Sequence, residues 1–174
     1  VLVEKPITTS VEAADRMGVV LSVVHPKRFR HNNKCARELI QSGAIGRVLT
    51  VNVSLPFYLG GLQQGGFGGS WVWWANSGSI GHVINSAPHA IDLMRWILRA
   101  DVVTVSAFCR TFLPGRSVED TTFALLEFSN GTLMSLFSSN ALPAPEFPDD
   151  NFRFRIMGTK GLIDLDPYGE LKIE

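Results

Sequence analysis

The sequence has few cysteines, no excess of either charge and no long apolar run, and each shortage removes a class of function. Cys35 and Cys109 are the only cysteines in 174 residues and form no CxxC pair, so neither a disulfide framework nor a metal cluster is expected. Two isolated thiols suit a reducing compartment, and we expect a cytoplasmic protein. Sixteen Lys and Arg balance sixteen Asp and Glu. With no net field, nucleic acid and anionic membranes are not expected partners; small neutral molecules are. No apolar stretch approaches the roughly 18 residues of a membrane span, and the opening residues lack a basic-then-apolar signal pattern. Also missing is a strand–GxGxxG–helix segment, the usual cradle for dinucleotide phosphates.

What is present is 45% apolar residues, enough for one sizeable core, or one domain and a piece of another. The chain opens at Val1 rather than Met, inside a strand-like run, and stops at Glu174 in a second one. Both ends read as cut, so a fragment of a longer reading frame is expected, truncated at the C-terminus as well. Val1-Leu2-Val3 reads as a buried strand whose end emerges at Glu4-Lys5 and is stopped by Pro6. Thr9-Ser10-Val11-Glu12 has capping-box spacing and opens a short helix to about Met17, closed by Gly18. Val19 to Val24 reads as a second buried strand, giving a parallel βαβ unit with a helix short for a crossover. Asn33 to Ser42 predicts an amphipathic helix stopped by Gly43.

From Val48 the pattern changes to strands, expected over 48–56, 102–112, 121–129, 132–139, 152–157 and 162–166. Asn130-Gly131 predicts a two-residue hairpin turn. One helix interrupts them at about 87–98, with Ala87, Ile91, Met94 and Leu98 in a buried stripe; Ser86 is its expected N-cap, which puts Pro88 in the first turn. The fold class is thus α/β plus α+β. Residues 1–30 read as the C-terminal part of a doubly wound α/β domain, and 31–174 as an α+β domain with a mainly antiparallel sheet; the resemblance described next implies that the first is dinucleotide-binding and that the sheet is large and open.

Several segments carry a resemblance in their order. Glu4-Lys5-Pro6 lies at a strand end, His25-Pro26-Lys27-Arg28-Phe29 after the next strand, Ser42-Gly43-Ala44-Ile45-Gly46-Arg47 after a helix, and His89-Ala90-Ile91-Asp92 within a later helix. Val118-Glu119-Asp120-Thr121, Phe128-Ser129-Asn130-Gly131 and Gly158-Thr159-Lys160-Gly161 follow. The series resembles the Gfo/Idh/MocA oxidoreductases over nearly the whole chain. The resemblance implies an N-terminal Rossmann domain joined to an open-sheet domain, and hydride transfer between a sugar, polyol or related alcohol and NAD or NADP. It also implies homo-oligomers built through the sheet.

Candidate site residues follow from chemistry and resemblance together. Oxidising an alcohol needs a base for the hydroxyl proton and a donor for the developing oxygen charge. Lys5 stands where open α/β sheets place ligands, and the resemblance assigns it to the nicotinamide and the reacting hydroxyl, with Glu4 and Pro6 shaping the cofactor side. His89, titrating near neutrality, is the candidate proton carrier. Asp92, three residues on, either interacts with His89 or complements the helix dipole. Asn85 stands where the family usually has Asp; it can orient a substrate but cannot ionise. Arg28 is either a cofactor or pocket contact or a surface charge. The glycine-rich stretch 60–69 with Trp71, Trp73 and Trp74 reads as a pocket rim, and Trp74 as a candidate platform for a sugar face. No metal site is expected. The alternative is a non-catalytic binding or oligomerisation module of the same descent.

Overall fold

The computed structural model describes residues 2–5, 7–8, 10–18, 22–58, 81–143, 152–169 and 171–173. Pro6, the glycine-rich stretch and its three tryptophans lie outside the described residues. Strand β1, Leu2–Val3, pairs in parallel with β2, Ser22–Val23, and helix α1, Val11–Asp15, lies between them in sequence. The expected βαβ unit is therefore there, with two corrections. Ser10, not Thr9, caps α1, its hydroxyl accepting from the Ala13 amide at 3.1 Å. Neither strand is buried: Leu2 is 71% exposed, because two strands and a five-residue helix with no buried residue cannot cover either face.

A 3₁₀ turn, Pro26–Phe29, leads into α2, His31–Gln41. The Gly43 stop is realised: Gly43 takes φ +76°, its amide reaches the Ile40 carbonyl, and the Ala44 amide reaches that of Leu39, a Schellman ending that releases the chain towards the sheet. The sheet has seven strands in the order β4-β5-β6-β3-β7-β8-β9. They are β3 Val48–Tyr58, β4 Val102–Arg110, β5 Thr121–Phe128, β6 Leu133–Leu142, β7 Arg153–Gly158, β8 Leu162–Leu165 and β9 Leu171–Ile173. All neighbours are antiparallel except β3 and β6, whose parallel register runs from Thr50↔Leu133.

Departures from expectation have local causes. β3 runs past Pro56, normally excluded from an inner strand, because the register with β6 shifts between Pro56 and Tyr58. β4 ends at Arg110 rather than 112 because Asp120 Oδ2 takes the amides of Phe112 and Leu113. The hairpin after β5 is not a two-residue turn. Among its residues only Gly131 has positive φ, at +80°; Gly131 N bonds Phe128 O, and Phe128 N bonds Thr132 O. A two-residue type I′ turn needs positive φ at both centres, so Ser129-Asn130-Gly131 closes as a three-residue loop.

The long helix, α3, spans His82–Leu98, beginning five residues before the expected start. Its N-terminus is capped from a distance: Glu119 Oε1 accepts the Val83 amide at 2.6 Å and the Glu119 carbonyl accepts that of His82. Ser86 is inside the helix, donating to the His82 carbonyl, and Pro88 is an interior proline. Pro88 leaves the Ile84 carbonyl without its usual donor, a loss eased by the exposure of Ile84. The α3 stripe of Ala90, Leu93, Met94 and Ile97 and Ala36 of α2 bury one sheet face, composed of Val51, Val53, Leu126, Phe128, Met134, Leu136, Phe154 and Ile156. Each large side chain so buried contributes roughly 1.5–3 kcal/mol. The opposite face carries Phe108, Phe123 and Phe137 in one cross-strand row, with Leu125 and Leu133 beside it.

Two glycines separate backbone strain from crowding. A Cβ on Gly131 would touch nothing, whereas one on Gly158, whose φ is ordinary, would fall 2.1 Å from the Ile45 carbonyl oxygen. Urea denaturation is expected to show Gly131→Ala losing about 1 kcal/mol and Gly158→Ala about 3 kcal/mol; equal losses would contradict the close approach.

Candidate functional site

The end of β1 and the turn after β2 deliver charged side chains to the first half of α3. Lys5 Nζ donates to the Asn85 backbone carbonyl at 2.6 Å and to Asn85 Oδ1 at 3.1 Å. His89 lies one helical turn beyond Asn85, on the same face. Its Nδ1 is buried without a hydrogen-bond partner among the described residues, and its pKa is pushed down to about 4 by burial and then by the positive charges of Lys5, Lys27 and His25. Lys5 and His89 thus share one electrostatic neighbourhood, with Asn85 between them. Burial also lowers the Lys5 pKa, against the neighbouring Glu4 carboxylate.

Arg28 and Asp92 are committed to each other. The guanidinium Nε donates to Asp92 Oδ2 at 2.8 Å and Nη2 to Oδ1, a two-point grip that keeps Arg28 charged. His25 Nδ1 lies 3.5 Å from Asp92 Oδ2, near enough for attraction but without hydrogen-bond geometry. Asp92 therefore faces Arg28 and His25 as its direct partners, and only its field reaches His89. Pro6 and Trp74 lie outside the described residues.

Two participants escaped the sequence reading. Lys27, within the same His-Pro-Lys-Arg-Phe segment, is only 7% exposed. Its ammonium stands 3.1 Å from the centre of the Tyr168 ring and has no hydrogen-bond partner among the described residues. Burial, then the Arg30 charge, brings its pKa down to about 7, with Asp166 opposing and Lys5 adding to the fall. The signal was adjacency to Arg28, but which of two neighbouring cations turns inward depends on the 3₁₀ turn. Tyr168 also lines a cleft of about 410 Å³ with Arg30, His31, Asn32, Cys35 and Gly169, whose lining includes neither Lys5 nor His89. Among the described residues no group of three His, Cys, Asp or Glu is placed to hold a metal, and no helix is long and apolar enough to cross a membrane.

A sequence profile of the GFO/IDH/MocA C-terminal domain matches residues 34–164. The chain belongs to that family. It is 31% identical over 144 residues to the 1-carboxy-3-chloro-3,4-dihydroxycyclohexa-1,5-diene dehydrogenase of Comamonas testosteroni, covering 75% of this chain and 34% of the relative. It is 27% identical to the scyllo-inositol 2-dehydrogenase (NAD(+)) of Bacillus subtilis (strain 168), covering 94% and 47%. An inositol dehydrogenase homologue from Azotobacter vinelandii, solved with NAD+, superposes with TM-score 0.80 at 16% identity over 99% of this chain and 50% of that one, a likeness of fold. The chain spans between a third and a half of the length of the curated relatives it matches.

The buried bases set a pH dependence. His82, inside the core end of α3, and His89 are neutral in the fold down to about pH 4, against 6.5 ordinarily. Between those values the unfolded chain holds more protons, so stability falls as pH drops through that window; His82 accounts for about 3 kcal/mol of it. Lys27 acts over another range: the unfolded chain keeps its proton to 10.5, the folded one to about 7. Its penalty is full below pH 7 and fades by about 10.5. Lys27→Met is therefore expected to raise the melting temperature at pH 7, with the gain shrinking towards pH 10; an unchanged melting temperature would contradict the burial of the ammonium.

Proposed function

We propose that this chain supplies the catalytic and substrate-binding part of an NAD(P)-dependent dehydrogenase acting on a ring alcohol, a sugar, polyol or cyclic diol. The observation that carries this reading is the joining of Lys5, Asn85 and His89. A bound nicotinamide would accept the hydride from the carbinol carbon. The strand end carrying Glu4 and Lys5 fits that ring, since ligands of open parallel sheets sit beyond the carboxyl ends of the strands. His89, neutral at pH 7 with a buried Nδ1 that has no partner among the described residues, is the candidate acceptor of the hydroxyl proton; its pKa of about 4 makes it a weaker base than an ordinary imidazole until negative charge joins the site. The Lys5 ammonium is suited to lower the cost of charge developing on that oxygen. Asn85 holds the ammonium in place and offers its amide to a neighbouring hydroxyl. Arg28, paired with Asp92, fixes the turn carrying Lys27; Trp74 remains a candidate substrate contact and Pro6 a cofactor-side one.

The phosphates of the dinucleotide find no glycine turn in this sequence. We therefore read residues 1–30 as the closing part of a dinucleotide-binding domain and 31–174 as the substrate domain, within a longer cytoplasmic protein. Calorimetry on this chain alone is expected to give an NADH dissociation constant weaker than about 1 mM; submillimolar binding would overturn the division. In the complete dehydrogenase, Lys5→Ala and His89→Ala are each expected to lower turnover with a polyol and NAD by roughly 10²–10⁴-fold. Near-normal rates in both would reject the pair and leave the non-catalytic module.

The open sheet face suggests a second copy of this chain as its partner. Phe108, Phe123 and Leu125 are 67%, 58% and 65% exposed, and no helix among the described residues covers them. Contiguous apolar patches of this kind mark association surfaces. Phe123→Lys with Leu125→Lys is expected to shift the sedimentation of the protein from oligomer to monomer, and a wild type already monomeric would count against the face.

A further inference from the structure

We propose that the alcohol taken at this site carries a carboxylate, and that Lys27 is the counter-ion that selects it. The inference rests on the reading of Lys5 and His89 as the reacting pair and goes beyond it to substrate class. Around His89, positive charge comes from Lys5, Lys27 and His25, opposed by Asp92. Asp92 is already gripped by two nitrogens of Arg28. At Lys27 the field of Arg30 outweighs that of Asp166, and Lys5 adds to it. With Glu4 beside Lys5, Asp92 taken by Arg28 and Asp166 outweighed by Arg30, Lys27 is the cation left without a carboxylate bonded to it among the described residues.

Lys27 makes the imbalance specific. Lysines usually lead the ammonium out to water along an apolar stem, but here the head is buried. The Tyr168 ring face attracts a cation yet accepts no conventional N–H bond, so among the described residues the three donors of the ammonium have no acceptor. A buried cation without a partner is costly unless an anion joins it. A carboxylate brought in beside Lys5 would give Lys27 a charge-assisted bond, and a neutral hydroxyl in the same place would not repay the ionisation. The other available anion is the cofactor diphosphate, which one ribose separates from the nicotinamide proposed beside Lys5, and ADP-ribose is the probe that tells it from a substrate carboxylate.

The test pairs sugars that differ only at the carboxylate: D-glucuronate against D-glucose, and D-galacturonate against D-galactose. They are titrated into this chain at pH 7 while the His89 imidazole signals are followed by NMR. The acids are expected to bind at least tenfold more tightly than the neutral sugars and to move the His89 signals. In Lys27→Met the ratio is expected to fall to twofold or less, with Arg95→Met, on an exposed part of α3, keeping it. The melting profile of Lys27→Met confirms that the variant is folded. Equal binding of acid and neutral sugar at His89 would overturn the carboxylate while leaving the reacting pair intact. If no sugar reaches His89, both readings fall. If ADP-ribose loses more affinity than glucuronate in Lys27→Met, the ammonium serves the cofactor and the proposal is wrong.

Discussion

The arrangement depends on one directional contact, the Lys5 ammonium held against the carbonyl and side chain of Asn85. Among the described residues helix α1 buries no residue and β1 and β2 pair only with each other, so little of their described apolar surface anchors the first strands. Polar links do that instead: Lys5 to Asn85, and Arg28 to Asp92. Hydrogen bonds to charged groups are worth more than neutral ones, about 1.5–3 kcal/mol, and unlike apolar contacts they fix direction. Because both links end on α3, the placement of β1 and the placement of His89 are one geometric fact.

The same proximity sets the chemistry. Burial, and after it the charges of Lys5, Lys27 and His25, keep His89 unprotonated and lower its basicity, and Lys5, the first of those charges, is the group bonded to Asn85. Stability is spent for it. An apolar side chain at Lys27 would suit the fold better, and retention of a buried cation there is the kind of local inconsistency that functional sites carry.

Much of this was legible from the residues. Sheet strands with alternating burial, the Gly43 helix stop and the stripe on α3 follow from periodicity and local turn chemistry. Asn85 lay outside the helix expected from about 87, so its place one turn before His89 on the same face came only with the earlier start at His82. What could not be read has distant causes. Glu119 caps α3 from 36 residues away in sequence, so the helix begins before Ser86 rather than after it. Asp120 takes the amides that would have lengthened β4. The hairpin after β5 turned on the backbone angle of Asn130, which the dipeptide alone does not decide. Lys27 was indistinguishable from Arg28 until the 3₁₀ turn pointed one inward and paired the other with Asp92.

Strand β3 sits between two meanders, β4-β5-β6 on one side and β7-β8-β9 on the other, and pairs in parallel with β6 across a separation of 83 residues at Thr50 and Leu133. Each meander is made of neighbours in sequence and can zip from its own turns, whereas β3 must wait for a long loop to close. The expected consequence is that the sheet closes last at its centre, with the β3–β6 pairing rather than the hairpins limiting how fast the chain folds.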